Sequence, residues 1–244
     1  MVLVAIPYIA SEAQGHEIFL ALTGWRRHFQ EPMHLITVGD RPPQECVGLV
    51  DGMMTMPRVE VPLNGRYRPH LDLARKQLCV ALRFEGIYKE CIWVADDCYP
   101  VNDFTLADVA LPKIQDFTMP TTGDGPWWND LHKTRDLCEK EGFALHNWTT
   151  HLPRLYNLRK LHKVIVDYNL LHESYVVENI YYNKFNKKTP TLLRSTDKWK
   201  YSVHSPDLDR PALADAFARK VWIVNSNHGW SEALEAELRK HYGL

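Results

Sequence analysis

The run Cys91-Ile92-Trp93-Val94-Ala95-Asp96-Asp97-Cys98-Tyr99-Pro100-Val101 decides how this chain folds. Ile92 to Ala95 is an apolar stretch of strand length that stops at two adjacent carboxylates. Pro100 cannot donate to a central ladder, so the strand is expected to end near the aspartates. Two carboxylates at the carboxyl end of a buried strand are costly unless a positive partner lies between them. A hard divalent cation holding a diphosphate is such a partner. Asp96 and Asp97 are therefore the first candidates for a metal site; the alternative is a strand-end turn with solvated acids.

Upstream, a helix is expected from about Leu71 to Glu85, with Leu71, Leu73, Ala74, Leu78, Ala81 and Leu82 on its buried side. Before it, Pro62 to Pro69 reads as a loop with Asn64, Gly65, Arg66 and Arg68, and Val59 to Val61 as a short strand. The beginning of the chain forms a β-α-β unit. Val2 to Pro7 is a strand buried on both faces, His16 to Phe29 a helix, and Met33 to Val38 a second strand ending at the turn Gly39-Asp40-Arg41-Pro42-Pro43. Strands alternating with helices predict an α/β sheet with mostly parallel strands. Ligands of such sheets bind beyond the carboxyl ends of the strands. Tyr8, Asp40 and Asp96-Asp97 all lie at those ends.

Downstream the pattern is less regular. Phe104 to Pro112 reads as a short helix or loop, Lys113 to Thr118 as a strand, and Met119 to Trp128 as a loop carrying Trp127 and Trp128, a candidate sugar platform. Helices are expected over 130–141, 158–168, 174–185 and 212–218, with a strand at 191–193. The chain closes with a strand, Val221 to Val224, the turn Asn225-Ser226-Asn227-His228-Gly229, and a helix from Trp230 to His241. These elements fit one domain over 1–244, with 1–101 as a nucleotide-binding half and 102–244 as an acceptor-binding half carrying a helical insertion and the closing strand and helix.

A net charge of −1 leaves no global basic footprint for nucleic acid. Local clusters remain at Arg154, Arg159, Lys160 and Lys163 and at Lys184, Lys187 and Lys188, as phosphate contacts or as solvated faces. The five cysteines show no CxxC spacing, which predicts reduced thiols and a cytoplasmic setting. The apolar N-terminus lacks a basic n-region, and no run reaches membrane-spanning length.

At Trp93-Val94-Ala95-Asp96-Asp97 the chain resembles the Asp-x-Asp region of GT-A fold glycosyltransferases that use sugar nucleotides. Thr150-His151-Leu152-Pro153 is similar to the His-x-Pro element of bacterial and phage sugar transferases, including the Stealth sugar-phosphate transferases. The final Ile223-Val224-Asn225-Ser226-Asn227-His228 run is similar to the strand and loop that close such a site. One departure stands out: the first acid of Asp-x-Asp falls on Ala95, leaving an x-Asp-Asp variant.

The resemblance implies a GT-A-like fold, a UDP-sugar donor and Mn²⁺ or Mg²⁺. Asp97 would ligate the metal with help from Asp96, and His228 would be the third ligand. His151 competes for that role, or contacts phosphate or acceptor. Tyr8 would stack on the base and Asp40 accept its N3 proton. Arg75 and Lys76, at a helix start, would meet the diphosphate. An inverting enzyme needs a carboxylate base; Glu173 and Glu178 are available, and Glu173 is the better placed by resemblance. Each residue also has a structural reading: a turn acid, a surface histidine, a buried tyrosine, a charged helix face. The acceptor is a glycan or a hydroxymethylated base of phage DNA. The alternatives are a Stealth-like transferase that passes on a sugar 1-phosphate, and a binding module without turnover.

Overall fold

A computed structural model of the chain describes residues 1–58 and 69–244. Strand β1 (Val2–Tyr8) is buried along its whole length. Helix α1 (Glu17–His28) crosses over to β2 (Met33–Gly39), and a 3-10 turn at Gln44–Leu49 leads to β3 (Gly52–Thr55). Residues 59–68, which include the expected Val59 to Val61 strand and most of the following loop, lie outside the described residues. Helix α2 (Pro69–Phe84) follows, two residues earlier than its apolar pattern predicts, and leads into β4 (Glu90–Trp93).

The order β3-β2-β1-β4 is parallel throughout, the α/β arrangement expected from alternating strands and helices. Successive β1 side chains serve opposite faces, as the two-residue strand period demands. Leu3 and Ala5 join a core roofed by α2. Val2, Val4, Ile6 and Tyr8 join the core beneath α1, with Trp25, Phe104 and Trp222.

Strand β4 stops two residues earlier than its apolar run, at Trp93, although the Val94 amide still bonds the Ala5 carbonyl at 3.2 Å. Asp96 and Asp97 sit in the turn that follows. The chain then re-enters a strand, β5 (Cys98–Pro100), so Pro100 does not end strand structure here. The reason is location: β5 is the edge of a second sheet, where a missing N–H costs no ladder bond.

Helix α3 (Leu106–Ala110) resolves the helix-or-loop alternative; Thr105 and Asp108 close a capping box at its start. Strand β6 (Lys113–Ile114) is shorter than expected. Helix α4 (Pro126–Lys140) begins four residues before its predicted start and takes in Trp127 and Trp128. Gly125, at φ 110°, and Pro126 at the first helical turn set that start.

Strand β7 (Arg154–Asn157), absent from the sequence reading, adds antiparallel to β4 at the sheet edge. Helices α5 (Leu158–Asp167) and α6 (Val177–Phe185) pack on the α2 side, and α6 starts three residues later than predicted. The remaining elements are β8 (Thr191–Leu192), β9 (Lys200–Val203), α7 (Arg210–Arg219), β10 (Trp222–Asn225) and α8 (Glu232–Tyr242). Strand β9 lies in a basic, polar segment without a strand pattern. Sheet β5-β10-β9 packs against α1 and α8 through Tyr99, Ile223, Leu20, Leu234 and Leu238.

All five cysteines are free, and among the described residues no helix is long and apolar enough to cross a membrane.

Candidate active site

The turn between β4 and β5 holds Asp96 and Asp97 where the two sheets meet. Asp97 is anchored from behind by the Asn225 amide, which bonds its carbonyl at 3.2 Å. Asn225 also accepts from the Tyr99 hydroxyl at 2.6 Å and donates to Glu17 at 2.8 Å. Glu17, on the first turn of α1, is itself buried. Three carboxyls therefore share one low-dielectric region.

Both aspartates keep a small opening to solvent but are enclosed by protein on their other sides. Burial raises Asp96 to about 7, with the Glu17 charge adding and Lys76 opposing. Burial raises Asp97 to about 8, with Asp96 and Glu17 adding and Lys200 opposing. Burial raises Glu17 too, against its bonds from Gln14 and Asn225. One buried oxygen of Asp97, Oδ1, has no hydrogen-bond partner. An acceptor left bare in a site of this kind calls for a proton or a cation. Two adjacent carboxylates with a bare oxygen fit a hard divalent ion.

The strand ends converge as the α/β pattern requires. Tyr8 is raised first by burial and then by Cys46, Asp96 and Asp40, so its hydroxyl lies within the field of Asp96 and Asp40. Tyr8 pairs with Gly39, whose φ of 131° leaves no room for a Cβ against the Tyr8 carbonyl. Asp40 accepts the Ala10 amide at 2.9 Å and so ties down the loop after β1. Lys76 is fully buried, 2.5 Å from Asp72 on the same helix, and the field of its charge reaches Asp96. Arg75, one residue earlier, is half-buried and does not line the cleft.

A cleft of about 420 Å³ opens beside this turn. Pro7, Trp93, Val94 and Ala95 contribute from the strand ends, His70, Leu73 and Gln77 from α2, Trp127 from α4 and Glu178 from α6. Ala95, where the resembling motif would carry an acid, is thus part of the cleft wall.

His151 sits at the rim with φ 56°. Enclosure by protein lowers its imidazole, with Lys200, Arg154 and His204 adding and Glu178 opposing. Arg154 is buried in the wall and donates to Thr150 Oγ1 at 2.7 Å. Lys200, on β9, donates to the Thr150 carbonyl at 2.8 Å. Burial lowers it, Arg154 adds, and Cys98 and Asp97 hold it up. The Thr150 segment therefore gathers two cations, of which Lys200 reaches Asp97 with its field.

Two expected residues stand apart. Glu173 is exposed, outside the cleft lining and 3.2 Å from Lys133, whereas Glu178 lines the cleft. His228 is exposed on the turn after β10. Among the described residues no three His, Cys, Asp or Glu side chains come close enough together to hold a metal ion. Sequence reading missed Glu17, Lys200, His70 and Gln77. Glu17 carried a faint signal as an acid at a helix start, which normally reads as a macrodipole contact; Lys200 lay in a polar segment with none.

The fold is similar to that of the WbbM bifunctional glycosyltransferase, solved in its apo form, with TM-score 0.50 and 12% identity over 99% of this chain and 49% of that one. Glycosyltransferase GlyE of Streptococcus pneumoniae TIGR4, also apo, gives TM-score 0.46 and 11% identity over 100% of this chain and 60% of that one. The chain thus spans about half the length of the first protein and under two thirds of the second. No family model and no curated protein matches the sequence. The likeness to WbbM is one of fold, and it agrees with the GT-A-like arrangement of a mostly parallel sheet flanked by helices.

Proposed function

We propose that this chain is a glycosyltransferase that moves a sugar from a nucleoside diphosphate sugar, a UDP-sugar first, to the hydroxyl of a glycan acceptor. The observation that carries the reading is the Asp96-Asp97 pair, with its bare Oδ1, at the carboxyl end of β4 and beside a cleft. The fold shared with WbbM supports it.

Asp97, with Asp96, would hold Mn²⁺ or Mg²⁺. The ion, when bound, supplies neutralisation of the diphosphate charge that grows as the glycosidic bond breaks. The chain's own residues do the rest. Tyr8 and Asp40, at the ends of the neighbouring strands β1 and β2, would meet the base. Lys200, whose field reaches Asp97, and Arg154 in the cleft wall lend positive potential, which favours the departing diphosphate. His151 is exposed at the rim and offers a hydrogen bond there. For an inverting transfer, Glu178 takes the acceptor hydroxyl proton, because it lines the cleft and Glu173 does not.

A glycan suits the cleft better than DNA. Trp127 and Tyr175 line it, and an aromatic face matches the C–H face of a sugar. The basic clusters are partly committed: Arg154 is buried, Lys163 pairs with Asp167 at 2.9 Å, and Lys184 bonds Tyr168 at 2.6 Å.

The test is UDP release from a panel of UDP-sugars, in Mn²⁺ and in EDTA, for the wild type and Asp97→Ala. Metal-dependent release lost in the variant is expected. Release of UMP would move the chain to the sugar-1-phosphate transferases. Neither turnover nor UDP binding would leave only a binding module for another ligand.

A further inference from the structure

His70 and Gln77 lie on one face of α2, two turns apart, with Leu73 between them, and all three line the cleft. His70 Nδ1 is 2.8 Å from Asp130 Oδ2, and both side chains are largely buried, at 12% and 13% exposure. The Ser174 hydroxyl donates to the same Oδ2 at 2.7 Å. Asp130 itself comes from α4, one turn after Trp127. Three separate segments thus converge on one imidazole that has no place in the reaction described above.

A carboxylate can only accept, so the bond at Nδ1 places a ring proton there, and in the neutral imidazole that leaves the lone pair on Nε2. Nε2 has no hydrogen-bond partner among the described residues, and the ring borders the cleft. Gln77 is 3% exposed, and its Oε1 is buried without a partner. Buried acceptors of this kind are rarely left empty. The α2 wall therefore carries two acceptors, His70 Nε2 and, buried behind the lining, the unpartnered Gln77 Oε1, with Leu73 between the two residues. Trp127 lines the same cleft and gives an aromatic surface. Two acceptors and an aromatic plane match a pyranose ring, which offers hydroxyl protons at its edge and C–H bonds on its face.

We propose that His70, oriented by Asp130 and Ser174, and Gln77 form a sugar-hydroxyl recognition site in the α2 wall, with His70 Nε2 accepting a hydroxyl proton from a substrate pyranose and Trp127 lying against the ring. The site rests on the transferase reading for its place in a reaction, but its sugar chemistry stands on these residues alone. The pyranose belongs either to the donor or to the acceptor. Asp130 and Ser174 act as positioning residues, since they reach the sugar only through the ring.

Imidazole nitrogen NMR on the wild-type chain at about pH 8, above the ordinary histidine range, decides it. His70 should carry its proton on Nδ1. UDP-hexoses, UDP alone and simple methyl glycosides are then added separately. A shift of His70 Nε2 with a UDP-hexose but not with UDP assigns the donor sugar. A shift with a methyl glycoside in the presence of UDP assigns the acceptor. Asp130→Ala and Gln77→Ala should each weaken the responding sugar about tenfold, the loss of one hydrogen bond, and leave UDP affinity unchanged. A proton found on Nε2 overturns the proposal. So does UDP binding with no sugar of either kind reaching His70, an outcome that leaves the transferase reading intact. A methyl glycoside that moves His70 in a chain that does not bind UDP upholds the sugar site and removes the transferase. No response to any ligand removes both.

Discussion

Replacing Asp97 by Asn should stabilise the metal-free protein, and more so as pH rises. Asp97 goes from 3.8 to about 8 on folding, first because it is buried and then because Asp96 and Glu17 lie close. A carboxyl raised in the folded state carries no penalty below its ordinary value. Above it the unfolded chain ionises first, so stability falls from about pH 4 until the folded group also ionises near pH 8, and then levels. The full difference sets a ceiling of roughly 6 kcal/mol at about 1.4 kcal/mol per pH unit. Water at the cleft and local relaxation reduce this, and about 2–3 kcal/mol is expected at pH 8. That corresponds to a melting temperature about 5–10 °C higher in a chain of this size. Thermal unfolding in EDTA across that pH range measures it. Added Mn²⁺ should reverse the order, because an ion that binds only the folded wild type stabilises it by mass action. An Asp97→Asn protein that is less stable than wild type at pH 8 in EDTA, or equally stable at every pH, would refute the claim that this carboxylate is strained without a cation.

Three further outcomes are expected. Glu178→Gln should cut transfer to an acceptor at least about 100-fold while UDP binding is kept, as removal of a general base does; an unchanged rate would take Glu178 out of the chemistry. Lys76→Ala removes the buried ammonium that Asp72 contacts at 2.5 Å and should cost roughly 2 kcal/mol in denaturant unfolding, the value of one hydrogen bond between charged groups. A loss under 1 kcal/mol would mean that the pair is not the main support of Asp72. Gly39→Ala should cost more than about 2 kcal/mol and weaken UDP binding, since its Cβ meets the Tyr8 carbonyl at a φ of 131°; a neutral effect in calorimetry would contradict the close approach of β1 and β2.

The parallel core was legible because its strands are continuous apolar runs. Val2 to Pro7, Met33 to Val38 and Ile92 to Ala95 can hardly be anything but strands buried on both faces. Strand β7 was not legible: Arg154-Leu155-Tyr156-Asn157 opens on a charge that normally marks a loop, and its pairing with β4 is a long-range fact. Pro100 misled because a proline argues against a central strand but not against an edge, and nothing local tells which it is. Trp127 and Trp128 look like loop in sequence because the Thr122-Gly123-Asp124 run overshadows the helix-start signal of Gly125-Pro126. In the site, the aspartates announced themselves by interrupting an apolar strand. Glu17, Lys200 and His70 did not, since each looks in sequence like an ordinary polar residue, and only the packing of α1, β9 and α2 brings them to the site. Glu178 lines the cleft and Glu173 does not, and α6 starts three residues later than the pattern suggests.

The measurement that bears most directly on the central claim is a titration of the chain with Mn²⁺, read by Mn²⁺ magnetic resonance, with and without UDP, for wild type and Asp97→Ala. The account predicts weak Mn²⁺ binding to the free protein, tight binding once UDP is present, and loss of both in the variant. UDP that binds equally well in EDTA, or Mn²⁺ binding unaffected by Asp97→Ala, would contradict it.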